Sequence, residues 1–324
     1  MSFFGGGTDY PAWFKEHGGA VVATTIDKYC YITCRYLPPF FDYRSRILYS
    51  KVEMVPDNSR IEHPAVRAAL QHLKMDEGVE IHHDGDLPAR TGLGSSSSFA
   101  VGLLHALHAL KNRMKDKMDL AREAIHIEQE LLKENVGCQD QVIAAIGGFQ
   151  KIDFLPSGEI RSNPITIGRE RLESLQDHIL LYFTGFSRIA STIVKEQLQK
   201  MPQRQSELLR MREMVDESMG LLTSGHLSDF GRLLDEGWKL KRSLSSKVST
   251  PAIDEMYEAA KSAGALGGKV LGAGGGGFMI VFAKPEDQPR VKERLKRFLR
   301  IPFRFEGEGS HILLYQPEHA PEQR

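Results

Sequence analysis

A loop rich in glycine and serine joins a β-type run to an apolar helical run between residues 87 and 98. Gly92 and Gly94 precede four consecutive serines, Ser95–Ser98, at the point where the helix should begin. The first turn of a helix leaves backbone N–H groups unpaired and carries a partial positive charge. Glycines let that backbone approach an anion closely, and serine hydroxyls reach phosphate oxygens or a metal ion. The loop therefore predicts a cradle for a polyphosphate in preference to an ordinary serine-capped helix.

Two further segments are rich in glycine. Near the start of the chain Gly5–Gly7 precede Thr8 and Asp9, and near its end Gly272–Gly277 contain five glycines in six residues. The later segment fits the Gly-x-Gly-x-x-Gly pattern of dinucleotide sites, but those sites require a helix next, whereas the β-type run Phe278–Phe282 follows. We therefore predict two loops whose backbones pass close to a polar ligand or to the first loop, with a plain turn and a hairpin as the alternatives.

Carboxylates on predicted helices could complete a site for phosphoryl transfer. That reaction needs a phosphate cradle, Mg²⁺ held by a hydroxyl and a carboxylate, and often a base that takes the proton of the acceptor. Ser96 and Glu128 could hold the metal, and Asp140 could be the base. Glu123 and Glu130 compete with Glu128, for which a solvated surface position also stays open, and a helix N-cap role stays open for Asp140.

The bulk composition excludes several classes of protein. Lys and Arg number 42 together, as do Asp and Glu, so no basic field indicates a nucleic acid or a membrane as partner. No apolar run is long enough to cross a bilayer, and no signal peptide opens the chain. The three cysteines, an odd and low number, argue against a disulfide framework. We therefore expect a protein of the reducing cytoplasm that acts on small molecules.

The predicted elements mix without the strict alternation of a parallel sheet, which favours an α+β fold over a doubly wound one. The 324 residues suggest two domains, 1–177 and 178–324. Strands are predicted over 20–26, 29–36, 46–50, 79–82, 149–154, 178–184, 278–282 and 312–315. Helices are predicted over 63–75, 99–110, 119–133, 142–146, 189–200, 205–223, 227–243, 253–263 and 290–300.

The three glycine-rich segments resemble, in family order, the signature motifs of the GHMP kinases. Pro88–Ser96 is similar to their ATP-loop signature, Gly5–Tyr10 to their N-terminal sugar-contact motif and Leu271–Phe278 to their C-terminal glycine loop. The resemblance implies an ATP-dependent kinase with a ribosomal S5 domain 2-like N-terminal domain and a ferredoxin-like C-terminal domain. It also allows a homodimer.

A narrower resemblance is to the D-glycero-D-manno-heptose 7-phosphate kinases, and the L-fucokinases are the nearest alternative. It rests on five segments, residues 3–11, 25–29, 136–141, 267–274 and 302–309. The reaction implied is phosphorylation of the anomeric hydroxyl of the sugar phosphate. The product, a 1,7-bisphosphate, would lead to a nucleotide-activated heptose for surface polysaccharide.

The same resemblance implies roles for individual residues. The ATP phosphates would be held by Gly92, Leu93, Gly94, Ser95, Ser96 and Ser97. Mg²⁺ would bind Ser96 and Glu128, and Asp140 would deprotonate the anomeric hydroxyl. The sugar hydroxyls would contact Thr8 and Asp9, over which the backbone of Gly274, Gly275 and Gly276 would close. We assign Arg188 and Lys28 to the distal phosphate of the sugar, because a guanidinium suits a bidentate phosphate contact.

One departure from the family concerns the first residues. Family members carry an N-terminal strand with a basic residue just before the Ser-Phe-Phe segment, whereas this sequence begins at Met1-Ser2. We therefore expect the strand and its cation to be missing, at a cost to phosphoryl transfer of about a hundredfold or more. A catalytically inactive sugar or nucleotide sensor is thus a second hypothesis. A third, an RNA-binding module, fits poorly with zero net charge.

Overall fold

The structure, a computed structural model, describes residues 1–89, 91–185 and 190–317. Its strands are β1 Ser2–Phe4, β2 Gly19–Ala23, β3 Thr25–Ile26, β4 Cys30–Tyr36, β5 Ser45–Leu48, β6 Val52–Val55, β7 Val79–Gly85, β8 Gln150–Phe154, β9 Ile160–Pro164, β10 Ile179–Gly185, β11 Gly267–Val270, β12 Gly277–Phe282, β13 Leu299–Ile301 and β14 Phe305–Glu306. Its helices are α1 Pro11–His17, α2 Pro64–His72, α3 Ser95–Leu110, α4 Lys117–His126, α5 Gln139–Ile146, α6 Arg169–Asp177, α7 Ala190–Lys200, α8 Gln205–Thr223, α9 Leu227–Ser243, α10 Pro251–Ser262 and α11 Gln288–Arg294. Among the described residues, no helix has both the length and the apolar character that a membrane span requires.

Within these ranges the strands form four sheets. Their strand orders are β1-β2-β8-β9, β4-β7-β5-β6, β11-β12-β10-β13 and the two-stranded β14-β3. Neighbouring strands run antiparallel, except for β5 and β7, which pair in parallel. A mainly antiparallel set of sheets with helices packed on them confirms the predicted α+β class.

Helix α3 lies inside a hydrophobic core and carries the glycine–serine loop (residues 92–97) at its start. The helix packs against β4, α4 and α5. Its side chains Val101, Leu104 and Leu107 are fully buried. Burial of one such side chain contributes about 1.5–3 kcal/mol, so a shift of the helix would cost several well-packed contacts. The loop is therefore held by a rigid element.

Helices α8 and α9 pack on each other and on β1, so both halves of the chain contribute to one core. Phe3 and Phe4 of β1 meet Phe230 of α9 with ring centroids 5.5 and 5.1 Å apart. Helix α9 also runs along β11. The division into domains 1–177 and 178–324 stays a prediction; its boundary falls between α6 and β10.

The last strand returns to the first half of the chain, where β14 pairs with β3. The hydroxyl of Thr25 donates a 2.7 Å hydrogen bond to the carbonyl of Glu306. A few residues later Gly309 lies against Gly147, so that a Cβ added to Gly147 would be 2.0 Å from the nitrogen of Gly309. These contacts fasten the C-terminal segment beside the end of α5.

Two predicted elements were wrong. The helix predicted over 290–300 ends at Arg294, because Leu299–Ile301 instead pairs with the edge of β10 as β13. The strand predicted over 312–315 is not formed, and Leu314 there is 78% exposed. Ser2–Phe4 form β1, which pairs with β2. The strand expected to be missing would precede these residues, and its absence stays a prediction.

Candidate active site

A cleft of about 1680 Å³ opens where the glycine–serine loop, α5, α9 and the loop between β11 and β12 meet. We call the last of these the glycine hairpin loop (residues 271–276). A pocket for one drug-sized molecule measures about 300–1,000 Å³, so this cleft has room for a nucleotide and a second substrate side by side. Of the predicted site residues, the cleft is lined by Asp9, Gly92, Leu93, Gly94, Ser95, Ser96, Ser97 and Asp140.

The glycine–serine loop presents the start of α3 to the cleft. Gly92 and Gly94 have φ angles of +81° and +70°, which glycine adopts at little cost. Gly94 is the N-cap of α3, and no side chain caps this helix. The serine cap that was the alternative is therefore not formed. Ser95–Ser97, whose N–H groups begin the helix, line the cleft, and a helix start of this kind suits an anion.

Glu128 is buried, with 1% of its surface exposed, and its carboxylate accepts hydrogen bonds from two serines of the glycine–serine loop. Ser96 Oγ lies 2.8 Å from Glu128 Oε1, and Ser97 Oγ lies 2.9 Å from Oε2. Gln141 Nε2 donates a third hydrogen bond, of 2.5 Å, to Oε2. The solvated surface position considered for Glu128 is thereby excluded.

The position of Glu128 depends on a break in regular helix. The helix predicted over 119–133 leaves α-geometry after His126 and continues as a π-helical turn, Ile127–Leu131. Such turns insert one extra residue and are frequent at functional sites. The rival Glu130 is exposed and pairs with Lys133. The rival Glu123 instead accepts from His108, at 2.7 Å.

The pair Ser96 and Glu128 fits Mg²⁺. Neighbouring oxygen ligands in an octahedral Mg²⁺ shell lie about 2.9 Å apart, given metal–oxygen distances of about 2.0–2.1 Å. The 2.8 Å between Ser96 Oγ and Glu128 Oε1 matches that spacing. In the described part of the chain, no group of three or more His, Cys, Asp and Glu residues could hold a metal by itself. A magnesium ion here would take its remaining ligands from phosphate and water, as is usual for this ion.

Asp140 lies in the first turn of α5, directly beside the glycine–serine loop. A Cβ added to Gly94 would lie 3.3 Å from the Asp140 carboxyl carbon. Burial raises the pKa of Asp140 from the usual 3.8 to about 6; the carboxylates of Asp9 and Glu128 add to this rise, and the Met1 ammonium and Lys241 oppose it. Asp140 does not cap its helix, because the N-cap position belongs to Cys138. The carboxylate is therefore free for another use.

Asp9 and Thr8 face different ways. One Asp9 oxygen accepts from the Gly7 N–H at 3.0 Å and the other from the Gln139 N–H at 3.2 Å, and burial raises the pKa of this carboxyl. Asp9 faces the cleft. The Thr8 hydroxyl is fully buried and lies 2.8 Å from the carbonyl oxygen of Gly5 and 3.0 Å from that of Ala20, while it accepts from the Ala20 N–H at 3.1 Å. It therefore ties the turn to β2 and does not line the cleft.

The glycine hairpin loop touches the glycine–serine loop. A Cβ added to Gly272 would lie 2.4 Å from Cα of Gly92, so only glycine permits this approach. Gly272 and Ala273 line the cleft, whereas Gly274, Gly275 and Gly276 do not. The Gly275 N–H donates instead to the carbonyl of Val248, at 2.8 Å. The predicted contact with a ligand thus shifts to the start of this loop.

Of the two residues assigned to a distal phosphate, only Lys28 can be located, and it is not brought to the cleft. Lys28 pairs with Asp27 at 3.0 Å and is not among the residues that line it. Arg188 lies outside the described residues. Among the described residues of the lining, the lysines are Lys133, Lys241 and Lys269, and the Met1 ammonium adds the chain's N-terminus.

Several residues of the cleft escaped the sequence analysis. In the sequence, Lys241 looks like part of a basic helix end. Its spacing nevertheless continues the buried stripe of Phe230, Leu234 and Trp238, and this periodicity could have predicted that Lys241 is buried. Lys269 stands within the glycine-rich segment, without a pattern that gives it a role. Four side-chain rings also line the cleft, with the centroids of neighbouring rings within about 5 Å of each other. They belong to Tyr49, His63, His83 and Phe99 and suit a flat ligand such as a nucleobase.

Similar proteins include several kinases. The D-glycero-alpha-D-manno-heptose 7-phosphate kinase of Campylobacter jejuni is 28% identical over 309 residues, which are 92% of this chain and 91% of that enzyme. The bifunctional fucokinase/GDP-fucose pyrophosphorylase of Arabidopsis thaliana is 26% identical over 226 residues, 68% of this chain but 21% of that protein. A D-glycero-D-manno-heptose 1-phosphate kinase from Bacteroides thetaiotaomicron has the same fold, with a TM-score of 0.80 at 24% identity over 98% of this chain and 97% of that one.

Two family models match the chain in sequence order. The GHMP kinases N terminal domain matches residues 61–148, which contain the glycine–serine loop, Glu128 and Asp140. The GHMP kinases C terminal model matches residues 218–301, which contain Lys241 and the glycine hairpin loop. Together the two models cover more than half of the 324 residues, and the cleft lies where the two matched regions meet. The chain therefore belongs to the GHMP kinases.

Proposed function

We propose that this ATP-dependent sugar kinase phosphorylates the anomeric hydroxyl of D-glycero-D-manno-heptose 7-phosphate. The observation that carries the proposal is the position of Asp140, whose carboxyl adjoins Gly94 of the glycine–serine loop. A base beside a phosphate cradle is what transfer from ATP to a hydroxyl requires. The sugar is the part taken from similarity, because the Campylobacter jejuni heptose 7-phosphate kinase matches nearly the whole chain.

In the proposed reaction Asp140 takes the proton of the anomeric hydroxyl. The oxygen then attacks the γ-phosphorus of ATP, and the bond from that phosphorus to the bridging oxygen breaks with its electron pair left on ADP. The products are the sugar 1,7-bisphosphate and ADP. A carboxyl with a pKa of about 6 is a stronger base than an exposed aspartate, and it is still mostly ionised at pH 7.

The other residues bind and orient the two substrates. The N–H groups at Ser95–Ser97 would hold the phosphates, and Ser96 with Glu128 would hold Mg²⁺. When bound, this ion neutralises charge that develops on the transferring phosphoryl group. Asp9 would accept hydrogen bonds from sugar hydroxyls, a contact that Asp9 can make at the cleft wall.

The proposed substrate is tested by following ADP release with Mg²⁺-ATP and a panel of acceptors. The panel holds heptose 7-phosphate, unphosphorylated heptose, L-fucose, galactose and mannose. We expect the highest kcat/KM for heptose 7-phosphate, with the new phosphate located on the anomeric oxygen by NMR. The heptose kinases of Campylobacter jejuni and Bacteroides thetaiotaomicron are named for different phosphate positions, so the position of the new phosphate has to be measured.

Two variants make the assay specific. Asp140→Asn should lower kcat by about 10²–10⁴, the usual contribution of a general base. Asp119→Asn, at an exposed position on α4, is the control and should keep the wild-type rate. Preferential turnover of L-fucose would replace the substrate with that of the fucokinases. ATP binding with no transfer to any acceptor would favour the sensor hypothesis.

A further inference from the structure

Lys241 places a buried cation in the wall of the cleft. The residue is 8% exposed, lies near the end of α9 and has no carboxylate within salt-bridge distance among the described residues. Its Nζ donates to the carbonyl oxygens of Val270 at 2.8 Å and of Gly272 at 2.5 Å. An unpaired buried ammonium is costly, so its retention at this place indicates a use.

These contacts put the Lys241 ammonium beside the proposed reaction centre. The carbonyl of Gly272 accepts one of these hydrogen bonds, and Gly272 itself packs directly against the backbone of Gly92 in the glycine–serine loop. Lys241 also interacts electrostatically with Asp140 and Asp9. The ammonium therefore lies close to the glycine–serine loop, to Asp140 and to Asp9.

The ammonium has one donor to spare. A lysine carries three N–H groups, and two of them have acceptors among the described residues. Because Lys241 lines the cleft, the third N–H is available to a ligand there. Phosphoryl transfer spreads negative charge over the three non-bridging oxygens of the moving group, which is the kind of acceptor that a fixed ammonium stabilises.

We propose that Lys241 is a catalytic residue that contacts the γ-phosphoryl group of ATP during its transfer. The proposal rests on the proposed placement of the ATP phosphates at Ser95–Ser97. Lys241 supplies charge and one hydrogen bond, and no atom of it is exchanged. It thereby provides, from the second half of the chain, a cation at the transferring phosphate.

The charge on Lys241 depends on groups that act in opposite directions. Burial and the neighbouring Lys269 lower the pKa of Lys241 well below its ordinary value, and Asp140 and Asp9 act in the opposite direction. An incoming polyphosphate adds several negative charges to the same cleft, which favours the charged lysine. Lys269 donates to the carbonyl of Phe3 at 2.9 Å and contributes a second buried positive charge nearby.

The test compares nucleotides that differ only at the γ-position. Affinities for Mg²⁺-ADP and for Mg²⁺-β,γ-imido-ATP are measured by calorimetry on the full chain, for the wild type and for Lys241→Met. We expect the variant to bind the triphosphate analogue about tenfold more weakly while its affinity for ADP changes less than twofold. With the best acceptor, kcat should fall about 10²–10³-fold, the range seen when one transition-state donor is removed.

Matched variants separate charge from structure. Lys239→Met, two residues away on the exposed side of α9 and paired with Asp235, should behave as the wild type. Lys241→Arg keeps the charge and should recover part of kcat; it also serves if the methionine variant does not fold. Equal weakening of both nucleotides in Lys241→Met would mean that Lys241 only positions the glycine hairpin loop, and the proposal would be overturned.

Failure of the proposed substrate is recognisable separately. If no sugar is turned over but the wild type prefers the triphosphate and Lys241→Met does not, the sugar assignment fails and the phosphate contact stands. If the wild type shows no preference for the triphosphate, or the methionine variant retains that preference, the contact with Lys241 is refuted.

Discussion

Replacing Asp140 by Asn is expected to stabilise the fold while it removes the proposed base. Burial raises the pKa of the folded carboxyl to about 6 from the usual 3.8, so the folded state binds the proton more tightly than the unfolded state does. The ionised carboxylate therefore costs stability above about pH 6. The cost shrinks as the pH falls from about 6 towards 3.8, where both states become protonated.

The size of the effect follows from the two pKa values. A difference of about two units, at about 1.4 kcal/mol per unit, gives a cost of about 3 kcal/mol at pH 7.5. At pH 5 the folded carboxyl is mostly protonated and the cost is about half as large. Asn has nearly the same shape and no charge, so Asp140→Asn should gain these amounts.

The assay is urea unfolding of the wild type and of Asp140→Asn at pH 7.5 and at pH 5, with Asp119→Asn as the control. The expected result is a higher free energy of unfolding for Asp140→Asn at both pH values, with the larger gain at pH 7.5. A variant less stable than the wild type at pH 7.5 would refute the reasoning. So would a gain that does not depend on pH, because the charge would then not be its cause.

Three further predictions concern the same cleft. The kcat/KM for the sugar should fall about tenfold per pH unit below about pH 6, where Asp140 becomes protonated, and an acid limb near pH 4 would contradict the raised pKa. Glu128→Gln should raise the Mg²⁺ concentration for half-maximal rate by about tenfold or more, whereas the exposed neighbour Glu130→Gln should leave it unchanged in the same titration. Gly272→Ala should raise the KM for ATP and lower the melting temperature, because its Cβ would lie 2.4 Å from Gly92 Cα; Gly158→Ala, which has a similar positive φ and open space around it, is the control for backbone strain and should lower only the melting temperature.

The parts of the site that could be predicted from sequence are those with local signals. The glycine–serine loop can be recognised because Gly92, Gly94 and the serines are placed at a predicted helix start. Asp140 can be recognised as a candidate because it lies between a glycine and an apolar helical run. The position of Glu128 depends on a π-helical turn, which no periodicity reveals, and the family motif selected it from its neighbours.

The parts that could not be predicted depend on distant partners. Leu299–Ile301 looks helical within its basic surroundings and becomes a strand because the edge of β10 is available to it. Lys241 looks like a solvated end of α9, and its role emerges only when β11 and the glycine hairpin loop bury it. Thr8 looks like a ligand contact, yet its hydroxyl bonds within the protein, where its partners are Gly5 in the turn that presents Asp9 and Ala20 in β2.

The pairing of β3 with β14 has a consequence for how the protein is made. The hydrogen bond from Thr25 to Glu306 joins residues 281 positions apart, which is a contact of very high sequence separation. At about 5–20 residues per second a ribosome needs tens of seconds to synthesise that interval. During this time the edge of β3 has no native partner, and closing so long a loop slows folding. The first half of the chain therefore cannot complete its folding until the C-terminal segment has left the ribosome. A nascent chain stalled before residue 305 should expose β3 to chaperones or proteases.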